Sequence, residues 1–337
     1  MNVKKSDLIR FATRAPSGHN TQPWKFTYNA DRISIYPDYT RRLPVVDSDD
    51  HALFISLGCA LENLLVAAHH FGYQTLASYN LADAPTAHIK VKLVPSTLED
   101  HSALFDAIMR RQSTRSEYTS AAIPERHLQK LAAAAADRDV ICSIVVDKEQ
   151  INQLTGLIKE GAVRQFNNSR FKAELLRWIR FDEKAANQTK DGLRAACMGN
   201  PTVPTWLGRL IFRYTVTARS EAEKAAKMAQ SSAALLLFSV KRNDREAWVR
   251  LGQSFERVAL QATALGIKHA HLNMPCEELI VREKLKNLMG FTTQEPLLLI
   301  RIGYADPLPY SYRRPVEAVV YHTVSQDQTS HARSLEN

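Results

Sequence analysis

The chain has 337 residues, of which 45% are hydrophobic and 23% charged, which excludes a disordered chain and favours one large or two ordinary globular domains. The formal net charge is +9, but basic and acidic residues are interleaved without a run of five like charges, so a nucleic-acid partner is not expected. The four cysteines form no Cys-x-x-Cys pair, so neither a zinc site nor a disulfide framework is expected.

The N-terminal segment has two lysines but no apolar run behind them, unlike an export signal. We also find no stretch that approaches the roughly 18 apolar residues needed to cross a bilayer. The sequence therefore predicts a cytoplasmic protein with no membrane partner.

Apolar periodicity in the first 98 residues predicts two helices and three strands. The helices are expected over residues 5–12 and 51–72, and the strands over residues 25–28, 32–36 and 88–94. The first two strands are separated by turn-forming residues, which indicates a hairpin.

An irregular segment, Arg14 to Trp24, separates the first helix from the hairpin, and we call it the proline loop. Pro16 and Pro23 each fix a backbone angle and remove a hydrogen-bond donor, so no regular helix or strand forms there. The polar residues between them can face a ligand, as in many binding loops. The alternative is an ordinary turn with Trp24 tucked into the core.

Three arginines lie within six positions at the end of a helix predicted over residues 102–111. Arg110, Arg111 and Arg115, with hydroxyl side chains between them, are suited to holding a phosphate group. The alternative is a solvated helix end.

The remainder of the chain alternates predicted helices and strands. The predicted helices span 124–136, 150–180, 220–228, 247–266 and 277–289, and the strands span 141–146, 233–240, 268–272 and 297–303. Residues 182–218 are rich in glycine, proline and aromatics, which is typical of an irregular insertion or lid. His269 and His271 have no apparent third ligand, so no metal site is expected.

Residues 58–72 and 252–266 share an internal similarity. Both segments run from glycine to glycine, place a glutamate fifth, and carry an apolar stripe. Their neighbours also correspond, which indicates two copies of one α+β unit. The first copy holds the proline loop and the second holds the arginine segment. We therefore expect a single composite site, made from both copies.

At these two motifs the chain resembles the nitroreductase family of flavoproteins. That family pairs an Arg-x-Ser-x-Arg/Lys segment with a Pro-Ser-x-x-Asn-x-Gln-Pro-Trp loop, and its FMN lies between the segment of one subunit and the loop of the other. The matching residues here are Arg111, Ser113 and Arg115 in the segment, and Pro16, Ser17, Asn20, Gln22, Pro23 and Trp24 in the loop. The tandem order resembles the Acg-type branch, whose single chains mimic the nitroreductase dimer.

The resemblance implies a set of cofactor contacts and no catalytic side chain, because flavin N5 carries the hydride. The implied FMN-binding residues are Pro16, Ser17, Gly18, Asn20, Gln22, Arg110, Arg111, Ser113, Arg115, Asn273, Met274, Pro275, Glu277, Arg313 and Arg314. Arg111 and Ser113 would hold the phosphate, and Arg115 would lie near the N1 and O2 edge of the ring. Glu277 would lie beside N5, although Glu278 replaces the glycine that usually follows. Which arginine of the 313–314 pair closes over the phosphate stays open.

The implied fold class is α+β, a nitroreductase-like fold duplicated in tandem as an intrachain pseudo-dimer, with mainly antiparallel sheets flanked by helices. We expect a first repeat at 1–98, a second at 102–322 that carries the insertion at 182–218, and a disordered tail at 323–337. The chain would complete its site as a monomer, and a further homodimer stays open.

Two functions are compatible with this resemblance. The first is an FMN-dependent oxidoreductase in which NADH or NADPH delivers hydride to flavin N5, and a nitroaromatic, a quinone or a similar small-molecule acceptor takes the electrons. The second is an FMN-sequestering or storage protein whose insertion lies over the ring and excludes nicotinamide.

Overall fold

A computed structural model describes residues 3–83, 86–97 and 102–321. The tail predicted from residue 323 onward lies outside the described residues.

The first half of the chain forms a four-stranded antiparallel sheet packed with two helices. Its elements are α1 (Lys5–Ala12), β1 (Trp24–Tyr28), β2 (Arg32–Pro37), α2 (His51–His70), β3 (Tyr73–Asn80) and β4 (His88–Pro95), and the sheet order is β1-β2-β4-β3. The predicted hairpin is confirmed. Its turn is closed by the Asn29 side chain, which accepts hydrogen bonds from the backbone of Asp31 and Arg32 at 3.2 and 3.0 Å.

Strand β3 was not predicted from the sequence. None of its eight residues is buried, so the strand lacks the alternating apolar pattern by which strands are recognised. It is held by antiparallel pairing along its whole length with β4, from Tyr73 opposite Pro95 to Asn80 opposite His88.

Helix α2 is the central helix of the first half, and its predicted span is confirmed. Both carboxylate oxygens of Asp47 accept hydrogen bonds from the backbone of its first turn, Ala52 and Leu53, at 2.9 Å each. The helix is long and apolar enough to cross a bilayer by length and composition, contrary to the expectation that no stretch would qualify. Because 83% of that window is buried inside the protein, α2 is accounted for as a core helix.

The second half contains a larger unit with a second four-stranded sheet. Its framework elements are α3 (Ala103–Ile108), α4 (Glu125–Ala134), β5 (Val140–Val145), β8 (Ala234–Val240), α10 (Arg245–Ala264), β9 (Lys268–His271), α11 (Met274–Glu277), α12 (Leu279–Leu288) and β10 (Glu295–Gly303). The sheet order is β5-β8-β10-β9, with every pair antiparallel. Helix α3 ends three residues earlier than predicted. The helix predicted at 277–289 is divided in two at Glu278.

Residues 146–233, which we call the insertion, connect β5 to β8. They form α5 (Lys148–Asn167), α6 (Ser169–Trp178), β6 (Ile179–Arg180), α7 (Glu183–Thr189), β7 (Leu193–Arg194), α8 (Thr205–Thr215) and α9 (Ala218–Gln230). The predicted single helix at 150–180 is wrong, because Asn168 ends α5 and caps α6 by accepting from the backbone of Arg170. The prediction of irregular structure at 182–218 is also wrong, because α7 and α8 lie within it.

Helices α2 and α10 cross at the centre of the molecule. A Cβ atom on Gly58 would lie 2.0 Å from the carbonyl oxygen of Val249, and one on Gly252 would lie 2.0 Å from that of Ile55. Only glycine allows this reciprocal backbone approach. In both sheets the strands follow the same order within their own half: first, second, fourth, third. One continuous core joins the halves, since Leu61 and Phe255 belong to the same buried cluster.

Candidate functional site

A cavity of about 700 Å³ lies where the two halves meet the insertion. The proline loop, helix α2, strand β9 and the start of α11 form part of its wall. The insertion adds Phe166, Phe171, Phe181 and Phe212. This volume and mainly apolar lining are typical of sites for small organic ligands.

The proline loop has an unusual backbone where it meets the cavity. His19, Asn20 and Gln22 have φ values of 49°, 54° and 55°, in the left-handed region that non-glycine residues rarely adopt. The Ser17 hydroxyl accepts a hydrogen bond from the backbone of Gln22 at 2.9 Å, which folds the loop back on itself. Backbone strain of this kind is often kept at functional sites. Pro16, Ser17 and Gly18 line the cavity.

Asn20 and Gln22 are bound to other parts of the protein and do not line the cavity. The Asn20 amide donates to the carbonyl oxygens of Gly192 and Tyr312 at 3.0 and 3.2 Å. The Gln22 side chain donates to the carbonyl of Lys190 and accepts from the backbone of Arg314, both at 2.8 Å. These two residues therefore join the insertion and the C-terminal segment to the loop.

Arg115 lines the cavity without a counter-ion. Its guanidinium makes no hydrogen bond or ion pair with any residue in 3–83, 86–97 or 102–321. Burial lowers its pKa, and only the weak influence of Cys197 and Tyr118 opposes this. A cation held in a mainly apolar wall without an ion-pair partner among the described residues is suited to an anionic ligand.

Three further guanidinium groups, those of Arg14, Arg111 and Arg313, form what we call the arginine cluster. Arg111 Nη2 donates to the carbonyl of Arg14 at 2.8 Å, and Arg313 Nη2 donates to the same carbonyl at 3.3 Å. Arg313 also donates to the Asn20 side chain at 3.0 Å. The cluster therefore lies at the start of the proline loop and does not itself line the cavity, and of the two C-terminal arginines it is Arg313 that belongs to it.

A single carboxylate, Glu256 of α10, is paired with this cluster, and its Oε1 lies 3.1 Å from Arg111 Nε. Burial raises the pKa of Glu256 to about 7, although Arg111 opposes the shift. Burial, together with the charges of Arg111 and Arg14, lowers the pKa of Arg313 to about 9. The cluster thus carries more positive than negative charge.

The other arginines and Ser113 lie elsewhere. Arg110 is exposed, and its Nε donates to the backbone of Asp106 at 3.2 Å. Ser113 forms a β-bridge with His269. Arg314 donates to the carbonyl oxygens of Gln22 and Ala318 at 3.3 and 2.6 Å. Along with Pro275, these residues do not line the cavity.

Asn273, Met274 and Glu277 do line the cavity. The Glu277 carboxylate accepts from Gln165 of α5 at 2.6 Å and from the Asn273 amide at 3.2 Å. Burial raises its pKa, and these two hydrogen bonds oppose the shift. Because Gln165 belongs to the insertion, the insertion is tied directly to the cavity floor.

Two cavity residues, His19 and His271, were not predicted as site residues. Burial, and after it the charge of Arg115, lowers the pKa of His19 to about 4 and that of His271 to about 3. Both imidazoles are therefore neutral near pH 7, which leaves Arg115 as the cation beside them. His19 occupies a variable position of the loop motif, so the motif gave no signal for it.

Asp47, Asp49 and His51 bring three possible metal-ligand atoms within 4.8 Å of one another. Both oxygens of Asp47 already cap α2, and the His51 ring nitrogen lies 2.5 Å from Asp49 Oδ1. These contacts account for the group as the start of a helix.

The chain is similar to a family profile and to several proteins of known sequence. Residues 108–304 match the profile described as "Nitroreductase family". In Mycobacterium tuberculosis (strain ATCC 25618 / H37Rv), "Putative NAD(P)H nitroreductase Rv3131" is 26% identical over 320 residues, 93% of this chain and 90% of that protein. "Putative NAD(P)H nitroreductase acg" of the same strain is 23% identical over 331 residues, 95% of each chain.

Two solved structures are more distant. The chain is 16% identical to a nitroreductase with bound FMN from Bacteroides fragilis, with a TM-score of 0.37, covering 61% of this chain and 90% of that one. It is 15% identical to the NADPH:FMN oxidoreductase from Vibrio harveyi complexed with NAD+, with a TM-score of 0.40, covering 68% and 86%. The profile match spans more than half of the chain, and by that match the protein belongs to the nitroreductase family.

Proposed function

We propose that this protein is an FMN-dependent oxidoreductase that takes electrons from NADH or NADPH and passes them to a nitroaromatic, a quinone or a similar small acceptor. The observation that carries the proposal is the unpaired Arg115 guanidinium in the wall of an apolar cavity. Family membership and the names of the two mycobacterial relatives support a nicotinamide donor.

The arginine cluster fits the phosphate end of FMN. Arg14 Nε and Arg313 Nε are buried without a hydrogen-bond partner among the residues that the structure describes. Buried donors of this kind are costly unless a ligand accepts from them. A phosphate group would satisfy both and balance the excess positive charge. We therefore assign the phosphate to Arg14, Arg111 and Arg313, with Pro16 to Gly18 along the adjoining part of the cofactor.

Bound FMN would supply two-electron hydride chemistry, so the protein needs no acid or base for the hydride transfer itself. Arg115 is suited to stabilising negative charge on the ring in a dry environment. Gln165 and Asn273 hold the Glu277 carboxylate in a fixed position at the cavity floor. The four phenylalanines of the insertion give this part of the cavity wall an apolar surface.

The division into two repeats, at about residues 1–98 and 102–322, is part of the proposal. The equal strand order of the two sheets and the reciprocal approach of Gly58 and Gly252 support a duplicated unit. In this arrangement the first unit provides the proline loop with Arg14, and the second provides Arg111, Arg115 and Arg313. One chain would then form one complete site as an intrachain pseudo-dimer.

An FMN-storage protein is the alternative, because α5, α6 and α8 of the insertion all line the cavity and could exclude nicotinamide. The two functions are separated by mixing the purified yellow protein anaerobically with NADH or NADPH. We expect the flavin absorbance to bleach with at least one of them and to return when an acceptor is added.

Bleaching by dithionite alone would exclude the oxidoreductase and favour storage. Protein that purifies colourless and does not take up FMN on mixing would exclude both.

A further inference from the structure

Helix α8 carries an exposed apolar stripe on its outer side. Trp206, Leu210 and Tyr214 recur every four residues and therefore lie on one face of the helix. They are 70%, 48% and 70% exposed. Gly208 and Phe212, on the opposite face, are the buried residues of α8. Contiguous exposed aromatic and aliphatic side chains of this kind mark interaction surfaces.

The charged residues of α8 itself all have one sign, although the Asp182 carboxylate accepts a hydrogen bond from Thr205 at the start of the helix and Glu221 follows in α9. Between residues 192 and 220 every charged residue is an arginine, namely Arg194, Arg209, Arg213 and Arg219. Arg209 and Arg213 follow the stripe along one edge, and both are exposed. Within the described parts of the chain neither makes a hydrogen bond or an ion pair, although the Arg213 guanidinium lies 5.8 Å from the ring centre of Tyr214. The complementary surface is therefore apolar and negatively charged.

The stripe is continuous with the cavity. Ile211 is 43% exposed and also lines the cavity. Thr215, Ser220 and Lys224 are exposed cavity-lining residues at the junction of α8 and α9. The cavity therefore reaches the protein surface beside the stripe, and Ile211 belongs to both the stripe's surroundings and the cavity wall.

We propose that the outer face of α8 docks on an anionic lipid surface, and that the cavity takes an apolar acceptor, of the class of quinones dissolved in that surface, through the adjoining mouth. Tryptophan, tyrosine and leucine beside arginine are the combination that lies at membrane interfaces. The docking stands by itself, whereas the choice of acceptor rests on the proposed oxidoreductase function. The helix adsorbs and does not span, but the proposal replaces the sequence-based expectation of no membrane partner.

Two other occupants fit less well. A second copy of the chain, paired symmetrically through this face, would bring two arginines from each copy, Arg209 and Arg213, into one interface, and like charges repel. A docked acidic protein would match the charge but would cover the cavity mouth. A lipid surface matches the charge and also supplies apolar acceptors.

The docking is tested by sedimenting the FMN-loaded protein with vesicles of phosphatidylcholine, with and without phosphatidylglycerol. We expect binding only to the anionic vesicles, weakened by salt. The variant Arg209→Ala/Arg213→Ala should bind about 30-fold more weakly, since each basic residue contributes roughly fivefold. Trp206→Ser/Leu210→Ser should lose at least about tenfold. The matched control is Leu279→Ser/Ile280→Ser at the start of α12. These two apolar residues are 65% and 59% exposed and follow the acidic residue Glu278.

Several results would overturn the docking. These are equal binding to neutral and anionic vesicles, no binding at all, equal losses in the α8 and α12 variants, and an α8-dependent dimer in solution. Binding to soluble poly-glutamate without binding to vesicles would assign the face to an acidic protein instead.

The proposed oxidoreductase function is tested separately from the docking, by measuring whether NADH or NADPH bleaches the flavin absorbance without vesicles. Vesicle binding without bleaching of the flavin would support the docking and exclude the oxidoreductase function. If both hold, the α8 variants should slow the reduction of a long-chain quinone in vesicles and leave that of a water-soluble quinone unchanged. Equal slowing of both quinones would overturn delivery from the lipid.

Discussion

The Arg115 guanidinium makes no ion pair or hydrogen bond with a described residue, and its neighbours His19 and His271 are neutral near pH 7. We predict that Arg115→Ala makes the midpoint potential of the bound flavin more negative by about 30–60 mV. A charge-assisted contact contributes roughly 1.5–3 kcal/mol, and about 30 mV corresponds to 1.4 kcal/mol for a two-electron couple. Anaerobic redox titration measures the shift.

Arg115→Lys is the control for this prediction, since it keeps the charge and should recover most of the potential. Equal potentials in the wild type and in Arg115→Ala would show that Arg115 does not face the ring.

Arg111 has a structural contact that is separate from its proposed role at the phosphate. The side chain is buried against Glu256, so removing it alone leaves an unpaired buried carboxylate. We predict that Arg111→Ala lowers the free energy of unfolding by about 3–5 kcal/mol. In Arg111→Met/Glu256→Gln the charges are removed together, and most of this loss should be recovered. Urea unfolding monitored by circular dichroism measures both variants.

The same double variant isolates the phosphate contact from the stability of the fold. It should bind FMN at least about tenfold more weakly, since a hydrogen bond to a charged group is lost. If the folded double variant binds FMN as tightly as the wild type, Arg111 does not contact the phosphate.

Glu256 should also make stability depend on pH. Burial raises its pKa from the ordinary 4.5 to about 7 in the folded protein, so between these values the folded form keeps a proton that the unfolded form releases. The contribution of this group to stability is present below pH 4.5 and is lost as the pH rises towards 7. We predict that Glu256→Gln flattens this part of the profile, measured by urea unfolding from pH 5 to 8. An unchanged slope would mean that Glu256 is ionised throughout.

At the scale of elements, the crossing of α2 and α10 depends on two glycines. A Cβ on Gly58 or Gly252 would lie 2.0 Å from a backbone carbonyl oxygen, which cannot move aside as a flexible side chain could. We predict that Gly58→Ala and Gly252→Ala each destabilise the protein by about 3 kcal/mol or more. Thermal unfolding measures the effect.

Gly156 in α5 is the matched control, because a Cβ there meets no atom within 4 Å. Gly156→Ala should stabilise by about 0.5–1 kcal/mol through helix propensity. A neutral effect of Gly58→Ala would show that the helices separate easily at their crossing.

The elements that were predicted correctly are those whose apolar pattern repeats locally. The alternating residues of β4 are visible in the sequence because one face of the strand is buried, and α2 is visible because its apolar residues continue through the buried core. Strand β3 carries no such pattern, since its order comes from pairing with β4. Helix α8 was missed because most of its surface is exposed and Gly208 and Phe212 are its only buried residues.

Sequence motifs could predict only those residues of the candidate site that belong to the motifs themselves. Pro16 to Gly18 of the proline loop and Arg115 line the same cavity, and the motif marks both, whereas their contact with FMN stays a prediction. The burial of Arg111 against Glu256 could not be predicted, because the two residues are distant in sequence and meet only when α10 packs against the end of α3. Gln165 likewise reaches Glu277 from a helix of the insertion, for which the motif has no counterpart.

At the scale of the whole molecule, the two halves share one hydrophobic core although each has its own sheet. Residues of the first half such as Leu61 are buried with residues of the second such as Phe255, and helices α2 and α10 form their central contact. Each half alone would expose this large apolar face to water. The connection between the sheets, in contrast, runs through a polar stretch around residue 98.

We therefore predict that a chain cut after residue 98 still assembles. Residues 1–98 and 99–337, expressed together, should copurify and bind FMN, because the site takes Arg14 from one piece and Arg111, Arg115 and Arg313 from the other. Either piece expressed alone should aggregate or bind no flavin. Gly58→Ala in the shorter piece is the control. It should lower the yield of the complex because it adds a side chain at the contact between helices α2 and α10. A longer piece that folds and binds FMN without its partner would show that the proline loop is dispensable, and the site would then belong to the second unit alone.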